Sequence, residues 1–361
     1  MPEEPLTPVH VYVEEEVVDL PLAKRVLSRL PGVRPVILAA GEAPPQLEGG
    51  EAHHALLLAR QRGRFVKSCP GTKGYLCCGY LNLNVAMGCD LGCEYCVLQG
   101  YLSKPIITLF VNTEDLWREL DELMQQRGRV VRIGSGELAD SLAFDHLTDL
   151  NQELVRYFAE QRQALLELKT KSDRIEPLLE IDHRGRTVLS WSLNSEAMRT
   201  AHEAKTAPLT KRLEAARRAQ EAGYRLGFHF DPLIWYEGWQ QDYQEVVDQL
   251  FHLVRPENIA WISLGSLRYP AQMDRLIRTR YPGSVLPLGE FVPGEDGKWR
   301  YFRPLREEMF RCLYQRIKLY APQAAVYLCM ESDLVWRRSF GWSPKDSAGL
   351  ARLLDQRVLL P

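Results

Sequence analysis

Cys89, Cys93 and Cys96 lie in the stretch NVAMGCDLGCEYCVLQGYL, a Cys-x3-Cys-x2-Cys spacing with Tyr95 set against the last thiol. A structural zinc site takes four ligands, usually as two paired spacings. No fourth partner stands at a matching interval here. Three thiolates suit a cubane iron–sulfur cluster, which leaves one iron without a protein ligand. An iron open in this way can take a small chelating molecule through its amine and carboxylate. A second group of thiols, Cys69, Cys77 and Cys78, lies upstream in CPGTKGYLCCGY, and Cys329 stands far along the chain in VYLCMES. Adjacent cysteines do not readily form a relaxed disulfide with each other. The three upstream thiols read either as incidental, or together with Cys329 as ligands of a further metal.

The elements that must position these residues follow from periodicity. Strand-like runs (LNLNVA, IITLFVN, RVVRIGSG, LLELKTK, TVLSWSLN, YRLGFHFDP, IAWISLGSL) alternate with amphipathic stretches such as TEDLWRELDELMQQ and LTKRLEAARRAQEAG. This alternation with right-handed crossovers predicts a parallel sheet covered by helices. Six or so such units favour an α/β barrel, full or partial, whose chemistry sits at the C-terminal ends of its strands. The expected divisions are an N-terminal strand–helix–strand extension over 1–60 and a Cys- and Gly-rich loop over 61–80. A barrel over 81–267 and a C-terminal extension over 268–361, a candidate substrate-binding region, complete the chain. The turn-rich stretch GEAPPQLEGGE, 41–51, is the candidate linker.

Composition narrows the function classes. The 361 residues carry a net charge of −2, which gives no global reason for a polyanion partner. From Phe251 to Pro361, however, 17 Lys and Arg face 11 Asp and Glu, so a basic face in that third is permitted. The acidic opening MPEEPLTPVHVYVEEE lacks the order of a secretory signal, and no apolar run reaches the ~18 residues of a membrane span. A cytoplasmic protein with no membrane partner is expected. In a reducing compartment clustered cysteines point to metal, redox or catalytic work.

The cluster motif, with an aromatic before its last cysteine, is the hallmark of the radical S-adenosylmethionine superfamily. Further stretches resemble one branch of it, the spore photoproduct lyases. CEYCVLQGYLSKPIITLFVN is similar to their cluster loop and the strand after it. LADSLAFDHLT, KTKSDRIEPLLE, WSLN, LTKRLEAARRAQEAGYRLGFHFDPLIWYEGWQQDY and GKWRYFRP resemble later landmarks in the same order. The resemblance implies a partial (βα)6 barrel of the TIM-like, radical S-adenosylmethionine type. It implies two cofactors, a 4Fe-4S cluster on Cys89, Cys93 and Cys96 and S-adenosylmethionine. It also implies a reductant partner such as flavodoxin or ferredoxin. An electron passed to the cofactor's sulfonium would release a 5′-deoxyadenosyl radical, which removes a hydrogen atom from an unreactive carbon. In the family the substrate is the methylene-linked thymine dimer of irradiated spore DNA.

By position, the resemblance places Tyr95, Lys171, Ser192 and Asn194 beside the cofactor, and Arg300 and Tyr301 at the lesion. Lys171 also reads as a solvated strand-end charge, and Ser192 as a satisfied core hydroxyl. GSGE, Gly134 to Glu137, resembles a Gly-Gly-Glu element whose backbone (Gly134, Gly136) and carboxylate bind the ammonium of the methionine moiety. Two departures stand against these matches. Where the lyases carry a cysteine that returns a hydrogen atom to the product radical, this chain has Glu137. Where they carry a tyrosine after the third cluster cysteine, it has Val97. Glu137 then reads as a cofactor ligand or as a catalytic acid–base, and Cys77 or Cys78 as replacement hydrogen donors. Three functions remain open: repair of a damaged DNA pyrimidine, radical chemistry on a small molecule or peptide, and a cluster-bearing sensor without turnover.

Overall fold

The computed structural model describes residues 7–45, 54–71, 74–102, 106–125 and 130–358. Most of the candidate linker, 46–51, lies outside them. Strands run in chain order as β1 (His10–Glu14), β2 (Val36–Leu38), β3 (Ala55–Ala59), β4 (Val66–Ser68), β5 (Leu81–Leu83), β6 (Ala86–Met87), β7 (Ile107–Phe110) and β8 (Val131–Gly134). They continue as β9 (Ala164–Thr170), β10 (Thr187–Ser192), β11 (Arg225–Leu233), β12 (Ile259–Ser266), β13 (Arg268–Pro270), β14 (Phe291–Pro293), β15 (Lys298–Tyr301) and β16 (Val326–Leu328).

The main sheet has the order β16-β12-β11-β10-β9-β8-β5-β4. Every pairing from β5 to β16 is parallel, and β4 closes the edge antiparallel. The succession β5, β8, β9, β10, β11, β12 is the partial barrel expected from the alternating pattern. Its strands are largely buried because both faces are covered: all eight residues of β12 are buried. One strand goes elsewhere. β7 pairs in parallel with β3 in a second sheet of order β2-β1-β3-β7-β6, so the run IITLFVN extends the N-terminal sheet and does not enter the barrel. An apolar strand of four residues suits either sheet, and only its partners decide. A third sheet, β13-β15-β14, is antiparallel.

The helices pack as their periodicity requires. Thr113–Met124 buries Leu116 and Leu120 and carries Glu114 and Asp115 in its first turn, where acid complements the helix dipole. Leu209–Glu221 buries Leu213 and Ala216 together with Arg212, a cation with a specific partner described below. Gly223, at φ +88°, ends that helix in the left-handed conformation a side chain resists.

Inside the barrel a single carboxylate ties four strands together. Glu167 on β9 accepts hydrogen bonds at one oxygen from Ser190 Oγ (2.5 Å), His229 Nε2 (2.8 Å) and Trp261 Nε1 (2.9 Å), on β10, β11 and β12. Burial would raise this carboxyl, but His229 and Ser190 hold it well below the ordinary range. Gly227 faces the knot, where a Cβ would lie 2.2 Å from Ser190 Oγ. Among the described residues no helix is long and apolar enough to cross a membrane.

Candidate active site

The cluster loop leaves the N-terminal sheet after β6 and returns to it at β7. Between these points it is pinned to the barrel by backbone contacts. Cys93 bridges to Glu203, Glu94 N donates to His202 O (2.9 Å), and Lys205 N donates to Leu91 O (3.1 Å). The segment that receives it is positioned by the short helix Glu196–His202. Ser195 caps that helix, its hydroxyl accepting from Met198 N. His202 Nδ1 meets Glu94 Oε2 at 2.8 Å, a second clasp between the same two segments.

Cys93 is buried, and Cys89 and Cys96 are partly exposed. Burial pushes the Cys93 thiol up to about 12, with Lys171 pulling the other way, and raises Cys89 and Cys96 as well. Lys171, at the C-terminal end of β9, sits with Nζ 3.7 Å from Cys93 Sγ and 4.9 Å from the centre of the Tyr95 ring. Its backbone is fixed by Asp140, whose carboxylate accepts from Lys171 N (2.7 Å) and Thr170 Oγ1 (2.8 Å). Among the described residues no group of three His, Cys, Asp or Glu is gathered closely enough for one metal ion. Three thiols on one loop, one buried and two partly exposed, with a cation beside them form instead a soft, electron-rich donor set, the kind that holds an iron–sulfur cluster. The residues fit that group.

Behind the loop lies a buried ionic knot that spacing gave no means of finding. Glu203 has no exposed side-chain surface. It accepts from the Tyr95 hydroxyl, Arg212 Nη2 (2.6 Å), Thr206 Oγ1 (3.1 Å) and Asn194 Nδ2 (3.4 Å), with Lys171 Nζ at 3.9 Å. Burial opposes its charge, yet Lys171, Arg212 and Tyr95 hold its carboxyl at about 2. Arg212 also donates to Ser192 O (2.8 Å) and Ala207 O (2.8 Å), joining the ends of β10 and the cluster-facing segment. The sequence AHEAKT carries no signal for this, because the donors come from four separate segments.

The predicted cofactor residues gather at the ends of β8, β9 and β10, each with its own surroundings. Tyr95 is buried against Glu203, and Ser192 is the last residue of β10. Asn194 is fully engaged by the protein, its Oδ1 accepting from Tyr243 OH (2.6 Å) and Ser195 N (3.0 Å). Gly134 and Gly136 are places of close approach. A Cβ on Gly134 would lie 2.5 Å from Glu167 O and overlap the Tyr80 hydroxyl, and one on Gly136 would lie 2.8 Å from Lys169 Cβ. Glu137 is exposed at the rim, 3.9 Å from Lys169 Nζ.

Arg300 and Tyr301 are both buried and engaged within the protein. The Arg300 side chain is buried, donates to Asp296 Oδ2 (2.5 Å) and Met330 O (3.2 Å), and stacks on Tyr75 at 4.5 Å. Tyr301 is buried too, its hydroxyl accepting from Trp235 N (3.2 Å). Both brace the antiparallel sheet at the barrel mouth. Cation density there also comes from Arg268, which clamps Asp231 through two 3.0 Å bonds, and from Lys169. Cys77 and Cys78 sit with Cys69 in the same quarter.

The sequence profile of the spore photoproduct lyase family matches residues 73–328. The chain belongs to the spore photoproduct lyase family. It is 30% identical over 252 residues to the spore photoproduct lyase of Bacillus subtilis, covering 67% of this chain and 73% of that one. The spore photoproduct lyase of a Geobacillus species is 30% identical over 210 residues, covering 57% and 62%. A solved spore photoproduct lyase complexed with dinucleoside spore photoproduct superposes with a TM-score of 0.80 at 25% identity, covering 90% of this chain and all of that one. The half-barrel sheet described above is the fold of this family. Its members are radical S-adenosylmethionine enzymes, and they use a 4Fe-4S cluster with S-adenosylmethionine.

Proposed function

We propose that this protein repairs a methylene-linked thymine dimer or a closely similar pyrimidine lesion by radical chemistry. The observation that carries the reading is the cluster loop itself: three thiols at the mouth of a half barrel, with Lys171 3.7 Å from Cys93 and Glu203 behind them. Cys89, Cys93 and Cys96 would hold the 4Fe-4S cluster. Tyr95, Lys171, Ser192 and the strand end from Gly134 to Glu137 would line the S-adenosylmethionine. When both are bound and reduced, they supply a carbon-centred radical able to abstract hydrogen from an unreactive position.

The protein's own contribution is positional and electrostatic. Lys171 offers a fixed cation to a carboxylate, and Glu203 keeps that cation and Tyr95 in one place. Glu137 offers a charged acceptor to an ammonium. Asn194, held by Tyr243, Ser195 and Glu203, orients this wall. Burial of Cys93 and Tyr95 keeps water from the reacting centre. A compartment holding flavodoxin or ferredoxin would supply the electron. The inward engagement of Arg300 and Tyr301 favours a second reading, a smaller substrate than duplex DNA at the same mouth.

The test is anaerobic reconstitution with iron, sulfide, reductant and S-adenosylmethionine, followed by irradiated oligonucleotides carrying the lesion. Restored thymines together with 5′-deoxyadenosine are expected. Deoxyadenosine with an untouched lesion would move the assignment to the second reading, and absence of both products would end it.

A further inference from the structure

One face of the C-terminal half of β9 and the residue after it carries three charges in succession, Glu167, Lys169 and Lys171. Alternate residues of a strand share a face and stand about 7 Å apart. Glu167 points into the barrel, where it joins Ser190, His229 and Trp261, and Lys171 reaches the cluster loop. Lys169 therefore faces the lumen between that knot and the thiols of the cluster loop.

The backbone and stem of Lys169 are fixed. Lys169 N donates to Ser141 Oγ (3.0 Å), and Ser141 N donates to Lys169 O (3.1 Å). The stem lies over Gly136, where a Cβ would come within 2.8 Å of Lys169 Cβ and 3.2 Å of its Cε. The ammonium is less well served. It stands 3.9 Å from Glu137 Oε2, beyond hydrogen-bond reach, and among the described residues it donates no hydrogen bond. Asp231, which alternation from His229 places on the lumen side of β11, has both oxygens taken by Arg268 at 3.0 Å. With 28% of its side-chain surface exposed, Lys169 presents unused donors to the barrel mouth.

The charges around it narrow what those donors can take. Burial works against the ammonium, yet Glu137, Glu167 and Asp231 keep it protonated. A bound anion would meet the same carboxylates, whereas a neutral acceptor would not.

We propose that Lys169 is a substrate-binding residue whose ammonium donates to a carbonyl oxygen of a neutral pyrimidine ring seated in the barrel mouth. The identity of the ring rests on the repair function proposed above. A ring carbonyl accepts a charge-assisted hydrogen bond without adding a charge between Glu137 and Asp231. Because Lys169 and Lys171 share a face, a ring held by the one lies beside the wall that the other contributes to the cofactor.

The experiment measures binding of dinucleoside spore photoproduct to the anaerobic, cluster-loaded protein with S-adenosylmethionine and no reductant, so that no turnover enters. Lys169→Met keeps a stem and removes the donors. It should weaken lesion binding about 10- to 100-fold, the worth of a hydrogen bond to a charged group, and Lys169→Arg should recover part of the loss. A lesion analogue with thiocarbonyls in place of its ring carbonyls should bind the unaltered protein less well than the lesion does. In Lys169→Met that difference should vanish, a coupling that a merely structural lysine would not produce. Equal lesion affinity in Lys169→Met and the unaltered protein, with iron retained, would overturn the assignment. So would a loss confined to S-adenosylmethionine affinity, which would make Lys169 only a counter-charge for Glu137. Failure of the unaltered protein to bind the lesion would instead end the repair function itself, and the role of Lys169 with it.

Discussion

The two cysteine groups of this protein stand close in sequence and differ in almost every physical respect. In the cluster loop Cys93 is buried and Cys89 and Cys96 are partly exposed, and burial raises all three, with Lys171 as the nearby positive charge. At the barrel mouth Gly71 packs against Cys77, where a Cβ would lie 3.4 Å from its sulfur, and the neighbouring thiols hold Cys77 low. The first arrangement is incomplete as protein alone, since buried thiols become favourable ligands only when a cation compensates their charge. The second meets protein groups of its own, Arg268 Nη2 donating to Cys329 Sγ at 3.6 Å. Spacing builds the one, and contact builds the other.

The sharpest break between the groups comes from iron. Cys89→Ala, Cys93→Ala and Cys96→Ala should each abolish the visible absorbance of the anaerobically reconstituted protein. Cofactor cleavage should fall by at least about 10³-fold. A Cys69→Ala, Cys77→Ala double variant should keep its iron and sulfide content. Iron lost from the double variant would erase the distinction drawn between the groups.

The next largest effect lies behind the cluster loop. Glu203→Gln leaves Arg212 and Lys171 buried without their counter-charge, and should cost about 3 kcal/mol of stability in anaerobic chemical denaturation. The same residue predicts an acid limb. Its folded carboxyl sits at about 2, against 4.5 for the ordinary group, so the unfolded chain binds the proton first. The stabilisation is complete above pH ~4.5 and is lost as pH falls from there toward 2. Denaturation midpoints measured across that window should flatten in Glu203→Gln.

Gly134→Ala should be milder, about 1–3 kcal/mol, because the new methyl meets both a backbone oxygen and the Tyr80 hydroxyl. A loss of cofactor binding with no loss of stability would instead make Gly134 a ligand-facing residue. Cys312→Ser, on a helix away from both groups and accepting from Gln244 (3.2 Å), should change stability by no more than about 0.5 kcal/mol.

What could be read beforehand follows the same division. Covalent spacing is a property of the chain, so Cys89, Cys93 and Cys96 announce themselves, as does the strand–helix rhythm of the barrel. Contact is a property of the fold. Glu203 draws its partners from Tyr95, Asn194, Thr206 and Arg212, and nothing in its immediate neighbourhood marks it out. β7 reads like any barrel strand until its pairing with β3 is known. Arg300 and Tyr301 have the composition of a ligand-contacting pair. Their burial depends on Asp296, Met330 and Trp235, which sequence order does not bring together.

The placement of β6 and β7 in the N-terminal sheet has a mechanical consequence. The loop that carries the three thiols hangs by both ends from one sheet while its middle is fastened to the other. Cys89, Cys93 and Cys96 thus straddle a seam, and any shear between the two sheets would be felt at the sulfurs. The opening strands of the chain supply no ligand and yet form one abutment of the bridge on which the iron would rest.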